Sequence, residues 1–517
     1  MSRWLKNIFV ALVLALAGVA WAADSSVSSS DTLSLWVMDN GLGSQKAVTR
    51  IVKKFQRETK IPVNIRFLNW GEAFAEISTV LGSEGAASEG ADSAASGSAA
   101  GPDVLQLGST WVPYFASSKN LEPLDPYLEQ VGASRFFEES FKAARVAHDT
   151  LVYSFPWFVD VRALYANEKL WKELALQKEE VDSYPKFLGV LRAFAKKDST
   201  VAPFALPGKG DWTGPQHMAP FIWSFGGDFL VKDSVGYRSA LLDSATLTGL
   251  AYYLRIFGDR NLSPFGLDEN SVQNTERFIR GGQLVLYGTS EIIRQLEMES
   301  KDGGLKDAPI AEAGVAIVEP LEGDKGIVSF VGGSHLVMPK QHKASAEKLL
   351  CYLLRADNMD AYTRQVGFLP ADESIVNIWD KDARYSKIIE TMKNGKSFPN
   401  IPEWVAIEGI LIELSNGLGD VLRGAPSLQD VEDQVVELFW NTHQKINQSL
   451  GYAEAQDKSR SHIKELLLAP VEEVVPESMA VPAEEQGGSV LVFILVVAIA
   501  AIAAVAGMAL SILIRKR

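Results

Sequence analysis

Short apolar runs and longer amphipathic stretches alternate near the start of the chain. Each run is bounded by polar or turn residues, which is typical of buried strands. The runs are 33–38, 63–68 and 104–107. The stretches 48–59 and 70–81 read as helices; in the first of them, apolar residues recur at helical spacing at Val48, Ile51, Val52 and Phe55. This β-α-β order predicts an α/β lobe in which right-handed crossovers join parallel strands.

A second set of elements follows, and one long segment, 153–165, is expected to cross between two lobes. A helix is predicted at 184–197, with short strands at 284–286 and 315–317. The apolar run 327–331 meets Gly-Gly-Ser at 332–334 and resumes at 336–338, which predicts two strands separated by a break. From 344 to 468 the spacing of apolar residues is mostly helical.

Two segments have compositions unsuited to a packed core. Residues 82–101 are almost wholly Gly, Ala, Ser, Glu and Asp, so we expect a flexible surface insertion. Residues 470–489 are acidic and rich in Pro and Gly, which is typical of a linker. The folded part is therefore expected to span 23–469.

Both ends of the chain carry signals that predict its location. Residues 1–22 combine Arg3 and Lys6 with an apolar core and an Ala-Trp-Ala end, which predicts a signal peptide cleaved after Ala22. Residues 490–514 hold no charge, and as a helix they would span about 37 Å at ~1.5 Å per residue. A core helix is the alternative, but no amphipathic stripe is present. The basic residues 515–517 place that end in the cytoplasm and the folded part outside.

Composition excludes several classes of function. The net charge is −14, and it reaches −19 without the basic residues of the two ends, which argues against nucleic acid as a partner. The single cysteine, Cys351, cannot form an intramolecular disulfide and reads as a core residue. The six histidines are scattered, so neither a metal site nor a cofactor is predicted. Motifs of nucleophilic hydrolases, P-loop proteins and zinc proteases are absent, although an acidic chain always contains carboxylate pairs that a glycosidase could use.

Five motifs occur in an order that resembles the family 1 extracellular solute-binding proteins, the maltose-binding-like receptors of ABC importers. They are PDV at 102–104 with Trp111 and LEPLD at 121–125, YSFPWFVDVRALYAN at 153–167, FIWSFGGD at 221–228, FIRGGQLVLYG at 278–288, and the stretch 326–370 that ends in GFLP. Together they cover roughly 33–441. The resemblance implies an α/β, two-lobe periplasmic-binding-protein fold with an interlobe cleft, to which the sequence adds a C-terminal transmembrane helix.

Candidate ligand-binding residues follow from strand ends and from the matched motifs. Ligands of α/β lobes lie at the carboxyl ends of strands, and a sugar needs aromatic rings for its C–H face and polar groups for its hydroxyls. The candidates are Asp39, Asn40, Trp70, Ser109, Trp111, Trp157, Asp160, Trp212, Trp223, Asp228, Gly332, Gly333, Ser334, Arg364 and Trp404. Each has an ordinary alternative: packing for the tryptophans, turns or caps for Asp39, Asn40, Asp160 and the glycines, and a surface charge for Arg364.

The resemblance implies a non-enzymatic receptor that closes on a sugar or oligosaccharide and passes it to ABC permease subunits. The predicted C-terminal helix, which departs from the usual soluble or lipid-anchored members, would tether it outside the cytoplasmic membrane. Two rivals remain open: a sensing ectodomain that signals to a membrane partner, and a glycan-degrading enzyme. Replacing Trp70 or Trp157 by Ala is expected to abolish ligand binding with little loss of fold.

Overall fold

The computed structural model describes residues 32–85, 101–147, 149–318, 321–453 and 459–479. The strands are β1 Leu33–Met38, β2 Val63–Leu68, β3 Val104–Gly108, β4 Phe155–Asn167, β5 Ala202–Phe204, β6 Leu230–Lys232, β7 Tyr237–Ser239, β8 Gln283–Thr289, β9 Val315–Ile317, β10 Glu322–Gly323, β11 Gly326–Ile327, β12 Ser329–Val337, β13 Leu369–Pro370 and β14 Gly395–Lys396.

The α-helices are numbered in chain order. They are α1 Ser44–Thr59, α2 Trp70–Gly85, α3 Val112–Ser117, α4 Leu128–Val131, α5 Glu138–Lys142, α6 Glu168–Glu173, α7 Tyr184–Lys197, α8 Gly214–Ser224, α9 Ser244–Phe257, α10 Ser271–Ile279, α11 Glu291–Gln295, α12 Pro309–Ala313, α13 Ala346–Leu353, α14 Ala356–Val366, α15 Glu373–Trp379, α16 Ala383–Lys393, α17 Trp404–Arg423, α18 Glu432–Ser449 and α19 Arg460–Leu467. Short 3-10 turns occupy Asp125–Tyr127, Ala133–Arg135, Lys178–Glu180, Gly266–Asp268, Ser300–Asp302, Leu428–Val431 and Glu477–Met479.

The first lobe is the predicted α/β unit. Strands β1, β2 and β3 are parallel, with β1 between the other two, so their carboxyl ends meet at one edge of the sheet. Successive residues of a strand face opposite sides of its sheet. Leu35 and Val37 accordingly enter one core with α1 and α13–α16, whereas Trp36 and Met38 enter a second core with α2 and α3.

Strand β4 is the predicted crossing segment, and it belongs to both lobes. Its first half pairs with β12 and β13, and its second half pairs antiparallel with β8 and β9. Strand β5 extends the second-lobe part of the sheet by pairing with β8. Helices α7, α8, α9, α17 and α18 contribute to one large second-lobe core. The two-lobe α/β fold predicted from the sequence is confirmed.

The predicted break at 332–334 is wrong, because β12 continues through both glycines. Gly332 lies opposite Asp160 on β4, and Gly333 opposite Val159; the register then shifts between Ser334 and His335. A Cβ on Gly333 would lie 2.3 Å from the carbonyl oxygen of Phe158. Glycine is therefore needed for the close approach of two strands, and not for a turn.

The folded second lobe continues past 469, where the sequence places the start of the linker. The strap, defined as residues 468–479, lies along α7 and α9. The backbone nitrogen of Val474 donates to the carbonyl oxygen of Pro185 at 3.1 Å, and Arg255 donates to the carbonyl oxygen of Ala469 at 2.9 Å. A Cβ on Gly189, in the middle of α7, would lie only 2.0 Å from the carbonyl oxygen of Val474. The absence of a side chain at Gly189 lets the strap lie directly on the helix.

Gly189→Ala is expected to lower the free energy of unfolding by about 1–3 kcal/mol, because the new methyl group forces the strap away from α7. Gly409→Ala on α17 is the matched control, since no atom lies within 4 Å of a Cβ there. At that open helical position Ala is expected to be neutral or to stabilise by up to about 1 kcal/mol. Chemical denaturation measures the free energy of unfolding of both variants, and limited proteolysis measures how fast each is cleaved within 468–479. Equal stability and equal cleavage rates in the two variants would contradict the contact between the strap and Gly189.

Cys351 is half-buried on α13 and packs at the edge of a first-lobe core. Among the helices of the described ranges, none is both long and apolar enough to cross a membrane. The predicted signal peptide at 1–22, most of the insertion at 82–101, and the membrane helix at 490–514 with its basic tail lie outside the described residues.

Candidate functional site

The ends of the three parallel strands bring four predicted residues together. Asn40 follows β1, Trp70 follows β2, and Ser109 and Trp111 follow β3. The indole nitrogen of Trp70 donates to Oδ1 of Asn40 at 3.2 Å. The rings of Trp70 and Trp111 meet edge to face with centroids 5.4 Å apart. Both rings remain partly exposed, so this edge of the lobe offers aromatic surface beside polar groups.

A buried amide holds these groups in place. Gln106, with no exposed surface, donates through Nε2 to Oγ of Ser334 at 2.8 Å and to Oδ1 of Asn40 at 3.3 Å. Its Oε1 accepts from the backbone of Met38 at 2.9 Å and from Nδ2 of Asn40 at 3.2 Å. The network ties β1, β3 and β12 together and leaves Asn40 one orientation. Ser334 therefore acts on the site through Gln106.

Asp39 is exposed at the entrance of an open cleft of about 1040 Å³. Ser44 and Gln45, at the start of α1, each donate to its carboxylate at 3.0 Å. Asn69 and Trp70 continue this wall, and residues 294–302 contribute the opposite one. The volume of the cleft is at the upper end of the range of ligand sites, about 300–1,000 Å³.

Strand β4 carries a charged pair where the lobes join. Nη2 of Arg162 lies 3.6 Å from Oδ2 of Asp160 and donates to Oε1 of Gln216, on α8, at 2.6 Å. Burial raises the pKa of Asp160, and Arg162 opposes that shift. Three buried polar atoms of β4 have no hydrogen-bond partner within the described part of the chain: Oδ1 of Asp160 and Nε of Arg162, and, in the first-lobe core, the hydroxyl of Tyr165. Such atoms are costly unless water or a ligand pairs with them.

Two glutamates at the lobe junction were not predicted from the sequence. Burial, and then the neighbouring Asp160, raise the pKa of Glu291 to about 7. Its Oε1 is 3.6 Å from the place of a Cβ on Gly41, so it adjoins the end of β1. Burial also raises the pKa of Glu408 to about 7; its carboxylate accepts from Thr110 at 3.4 Å. Since Thr110 follows β3 and Glu408 lies on α17, this hydrogen bond joins the two lobes.

Further second-lobe polar groups lie on α8 and in the segment just before it. Asp211 accepts from the backbone of Thr213 at 2.7 Å and of Ser271 at 2.5 Å. Burial would raise the pKa of Asp211, but His217 and these hydrogen bonds outweigh it and lower the pKa. Burial, and then Arg162, lower the pKa of His217 to about 4, so its ring is neutral near pH 7. Trp212, next to Asp211, has 54% of its surface exposed.

Other predicted residues lie away from this polar edge. Trp157 and Trp404 are fully buried in the cores of the first and second lobes, respectively. Trp223 is also buried; its indole nitrogen donates to Asp228 at 3.0 Å, and Asp228 pairs with Lys396 in a separate pocket of about 360 Å³. These contacts correct the sequence-based expectation, because packing and local bonding occupy the four side chains.

Arg364 and the β12 glycines complete the predicted set. Arg364 is exposed on α14, where it pairs with Asp360 at 2.9 Å and stacks on Trp379. It is a surface charge, as the alternative interpretation held. Gly332 and Gly333 are partly exposed beside Asp160 and Val159, so their backbone contributes to the floor between the lobes.

Gln106 and Arg162 were not predicted as site residues, although the sequence contains a signal for each. Gln106 is a lone polar residue within the apolar strand β3, and Arg162 is a charged residue in the mostly apolar strand β4; polar side chains at such places are buried only when hydrogen-bonded. Glu408 gives a comparable signal, since it is the one charged residue among the apolar residues 404–412 of α17, whereas Glu291 lies near Arg294 and Gln295 on α11 and gives none. Within the described residues, no group of three or more His, Cys, Asp or Glu could hold a metal ion. The arrangement suits a polar ligand that presents hydrogen-bond donors and an apolar face.

Comparison with known proteins assigns this architecture to a family. Residues 40–360 match the family model described as bacterial extracellular solute-binding protein. The diacetylchitobiose binding protein DasA of Streptomyces coelicolor is 25% identical over 403 residues, which cover 77% of this chain and 86% of DasA.

Solved structures share the fold. An ABC transporter solute-binding protein from Thermotoga lettingae, bound with alpha-D-tagatose, has a TM-score of 0.65 at 19% identity, covering 82% of this chain and 100% of its own. Maltose-bound MalE3 of T. maritima has a TM-score of 0.64 at 15% identity, covering 80% of this chain and 99% of its own.

Proposed function

The chain belongs to the bacterial extracellular solute-binding protein family, and from that premise we propose that it captures a sugar or oligosaccharide between its lobes and delivers it to an ABC importer. The family is one of binding proteins, so the expectation of a non-enzymatic chain is confirmed. Relatives that bind diacetylchitobiose, tagatose and maltose support a carbohydrate ligand.

The observation that carries the proposal is the edge where β1, β2 and β3 end. Trp70 and Trp111 offer partly exposed rings, and Asn40 is held beside them by Gln106. A sugar ring stacks on aromatic surface while its hydroxyls bind amides and carboxylates, which this edge supplies. The predicted contacts that we retain are Asp39, Asn40, Trp70, Ser109, Trp111, Asp160, Trp212, Gly332 and Gly333, to which we add Glu291 and Glu408.

Capture is proposed to proceed by hinge closure. Strands β4 and β12 run without interruption between the lobes, so small dihedral changes along them would rotate one lobe against the other. The hydrogen bond from Thr110 to Glu408 marks a place where the lobes already touch. Closure would remove a bound ligand from water and present both lobes together to the permease.

We further propose that the receptor is exported through residues 1–22 and tethered by residues 490–514. The support is the absence of charge over 490–514 and the basic residues that follow. Because the strap lies on α7 and α9, the tether would leave from the second lobe. The receptor would then stay near its importer instead of diffusing freely.

A thermal-shift screen of the purified protein against mono-, di- and oligosaccharides, with amino acids and peptides as controls, tests the ligand class. A ligand at about 100 times its Kd adds about 2.7 kcal/mol of stability. We expect a sugar to raise Tm; shifts only with amino acids or peptides would overturn the sugar assignment.

Trp70→Ala is expected to weaken binding of that sugar about 30-fold, a loss of about 2 kcal/mol, because it removes the central aromatic surface. Trp171→Ala is the matched control, since Trp171 is also partly buried but lies on α6, at the second-lobe core. Titration calorimetry measures both affinities. Wild-type affinity in the Trp70 variant would place the site elsewhere.

A further inference from the structure

We propose that two contacts across the rim of the cleft form a latch that holds the lobes closed. This latch rests on the proposed function, because it would control the opening of the same cleft. The rim latch is defined as Leu42 and Lys46 on the first lobe with Asp302 and Gly303 on the second. Leu42, Lys46 and Asp302 line the cleft. Lys46 and Asp302 are also exposed, so they mark the rim where the cleft meets solvent.

An apolar side chain reaches across the cleft to the backbone of the opposite lobe. A Cβ on Gly303 would lie 2.7 Å from Cδ2 of Leu42, so the leucine lies directly on the Gly303 backbone. Gly303 has a φ of 84° and ends the 3-10 turn Ser300–Asp302. Leu42 is flanked by Gly41 and Gly43, with φ of 83° and 79°. This left-handed backbone makes the loop after β1 turn sharply on both sides of Leu42, which projects the leucine toward the second lobe.

An ion pair lies beside the apolar contact. Nζ of Lys46, in the first turn of α1, is 3.6 Å from Oδ1 of Asp302. Their side chains are 81% and 47% exposed, so water and salt weaken the attraction. Exposed pairs of this kind contribute little to stability. We therefore expect Leu42 to supply most of the stabilisation by the latch.

Both surfaces of the latch are braced within their own lobes. The backbone nitrogen of Ser44 donates to the carbonyl oxygen of Gly41 at 3.2 Å, which closes the loop after β1. The backbone nitrogen of Gly303 donates to the carbonyl oxygen of Ser300 at 3.0 Å, which closes the turn on the second lobe. Because each surface is held by its own lobe, opening of the cleft must break the contact between them.

The latch lies away from the strands that cross between the lobes. In the sheet, β3 separates β1 from β12, and β12 separates β3 from β4. At about 4.8 Å per strand, β1 is roughly 10 Å from β12 and roughly 14 Å from β4. Rotation about the crossing strands therefore separates the rim more than it separates contacts beside β4. One such contact is the hydrogen bond from Oγ of Ser290 to the carbonyl oxygen of Gly367, at 2.7 Å.

Protein groups alone make both latch contacts, so these contacts stabilise the closed arrangement with or without a ligand. A ligand that binds to closed lobes then needs less of its own binding energy for closure, and its affinity rises with the closed fraction. Since release requires the rim to open, the latch also slows dissociation. The rim latch thus regulates the cleft without contacting the ligand.

The test measures the separation of the lobes in sugar-free buffer. Glu72→Cys on α2 and Val272→Cys on α10 place spin labels at exposed positions on the two lobes. Cys351→Ser removes the native thiol, and this labelled chain is the reference protein. Pulsed electron paramagnetic resonance gives the ratio of short to long distances between the labels. We expect the reference protein to populate the short distance, and Leu42→Ser to lower the ratio at least five-fold.

Further variants make the result specific. Gly303→Val fills the place where Leu42 packs and is expected to lower the ratio at least two-fold. Gly451→Val is its matched control, since φ is 63° there and no atom lies within 4 Å of a Cβ. Leu151→Ser, at a first-lobe leucine that is 38% exposed, is the control for Leu42→Ser. Both controls are expected to keep the reference ratio, and Lys46→Gln to change it by less than two-fold.

Two results would overturn the latch: a reference protein that shows only the long distance, or Leu42→Ser and Gly303→Val variants that both keep the reference ratio. Circular dichroism establishes that each variant is folded, and the two variants alter opposite sides of the same contact. The proposed function would survive either result, because the thermal-shift screen tests sugar binding separately. A screen without any sugar response would in turn remove the proposed function and leave the measured latch standing.

Discussion

Arg162→Met is expected to lower the free energy of unfolding by about 3–5 kcal/mol, the usual effect of removing one member of a buried ion pair. Arg162 is 7% exposed and lies between Asp160 and Gln216. Met preserves most of the side-chain volume, so the loss reports on charge and hydrogen bonding. Without the guanidinium, Asp160 and Glu291 are left at the lobe junction with no ion pair to any Lys or Arg of the described residues.

The pH dependence of this loss follows from the sign of the pKa shifts. A carboxyl group whose folded pKa lies above its unfolded pKa is ionised first in the unfolded chain, so stability is lost as pH rises through the folded value. Burial, and then Asp160, already raise the pKa of Glu291 to about 7, and removal of Arg162 raises it further. The variant is therefore expected to lose more stability, relative to wild type, at pH 8 than at pH 5.

Two comparisons make the Arg162 result specific. Arg364→Met removes an exposed arginine that pairs with Asp360, and it is expected to cost less than about 1 kcal/mol. The double variant Arg162→Met/Asp160→Asn is expected to be more stable than Arg162→Met alone, because it removes the carboxylate that the single variant leaves without its arginine. Urea denaturation at each pH measures all three. A loss in Arg162→Met no larger than that in Arg364→Met would show that the lobe junction is well solvated.

Much of the fold could be predicted because the hydrophobic pattern is unambiguous in both lobes. The predicted bounds 33–38, 63–68 and 184–197 coincide with β1, β2 and α7. The error at 332–334 has a physical cause. Glycine pairs are common in turns, but a strand also needs glycine where a neighbouring backbone lies too close for a Cβ. A local pattern does not distinguish these two causes.

The site was predictable only where strand order determines it. Asp39, Asn40, Trp70, Ser109 and Trp111 gather because parallel strands end at one edge. Glu291 and Glu408 depend on how the lobes pack together; the isolated charge of Glu408 signals burial but not its partner, and Glu291 gives no signal. The tryptophans divide in the same way: a ring beside a turn can face solvent, as Trp212 does, or a core, as Trp404 does. Only the tertiary structure decides.

Trp157→Ala is expected to lower the free energy of unfolding by about 3–5 kcal/mol, contrary to the expectation from sequence that the fold would be spared. The ring has no exposed surface and stacks on Tyr362 with centroids 4.1 Å apart at 17°. Its removal leaves a cavity beneath β4 that the surrounding strands cannot fill. The hydroxyl of Tyr362 accepts from Nδ2 of Asn40 at 2.7 Å, and Asn40 in turn holds Trp70. Loss of Trp157 should therefore also loosen the proposed site.

Two further variants separate packing at Trp157 from direct ligand contact. Trp157→Phe keeps an aromatic ring against Tyr362 and is expected to recover more than half of the stability lost in Trp157→Ala. Trp212→Ala removes an exposed ring and is expected to change stability by no more than about 0.5 kcal/mol. Denaturation and sugar titration are carried out on the same samples, at a temperature where each variant is folded. A Trp157→Ala variant that keeps wild-type stability but binds no sugar would restore the interpretation of Trp157 as a ligand contact, because only a ring facing the cleft can be removed without opening a cavity.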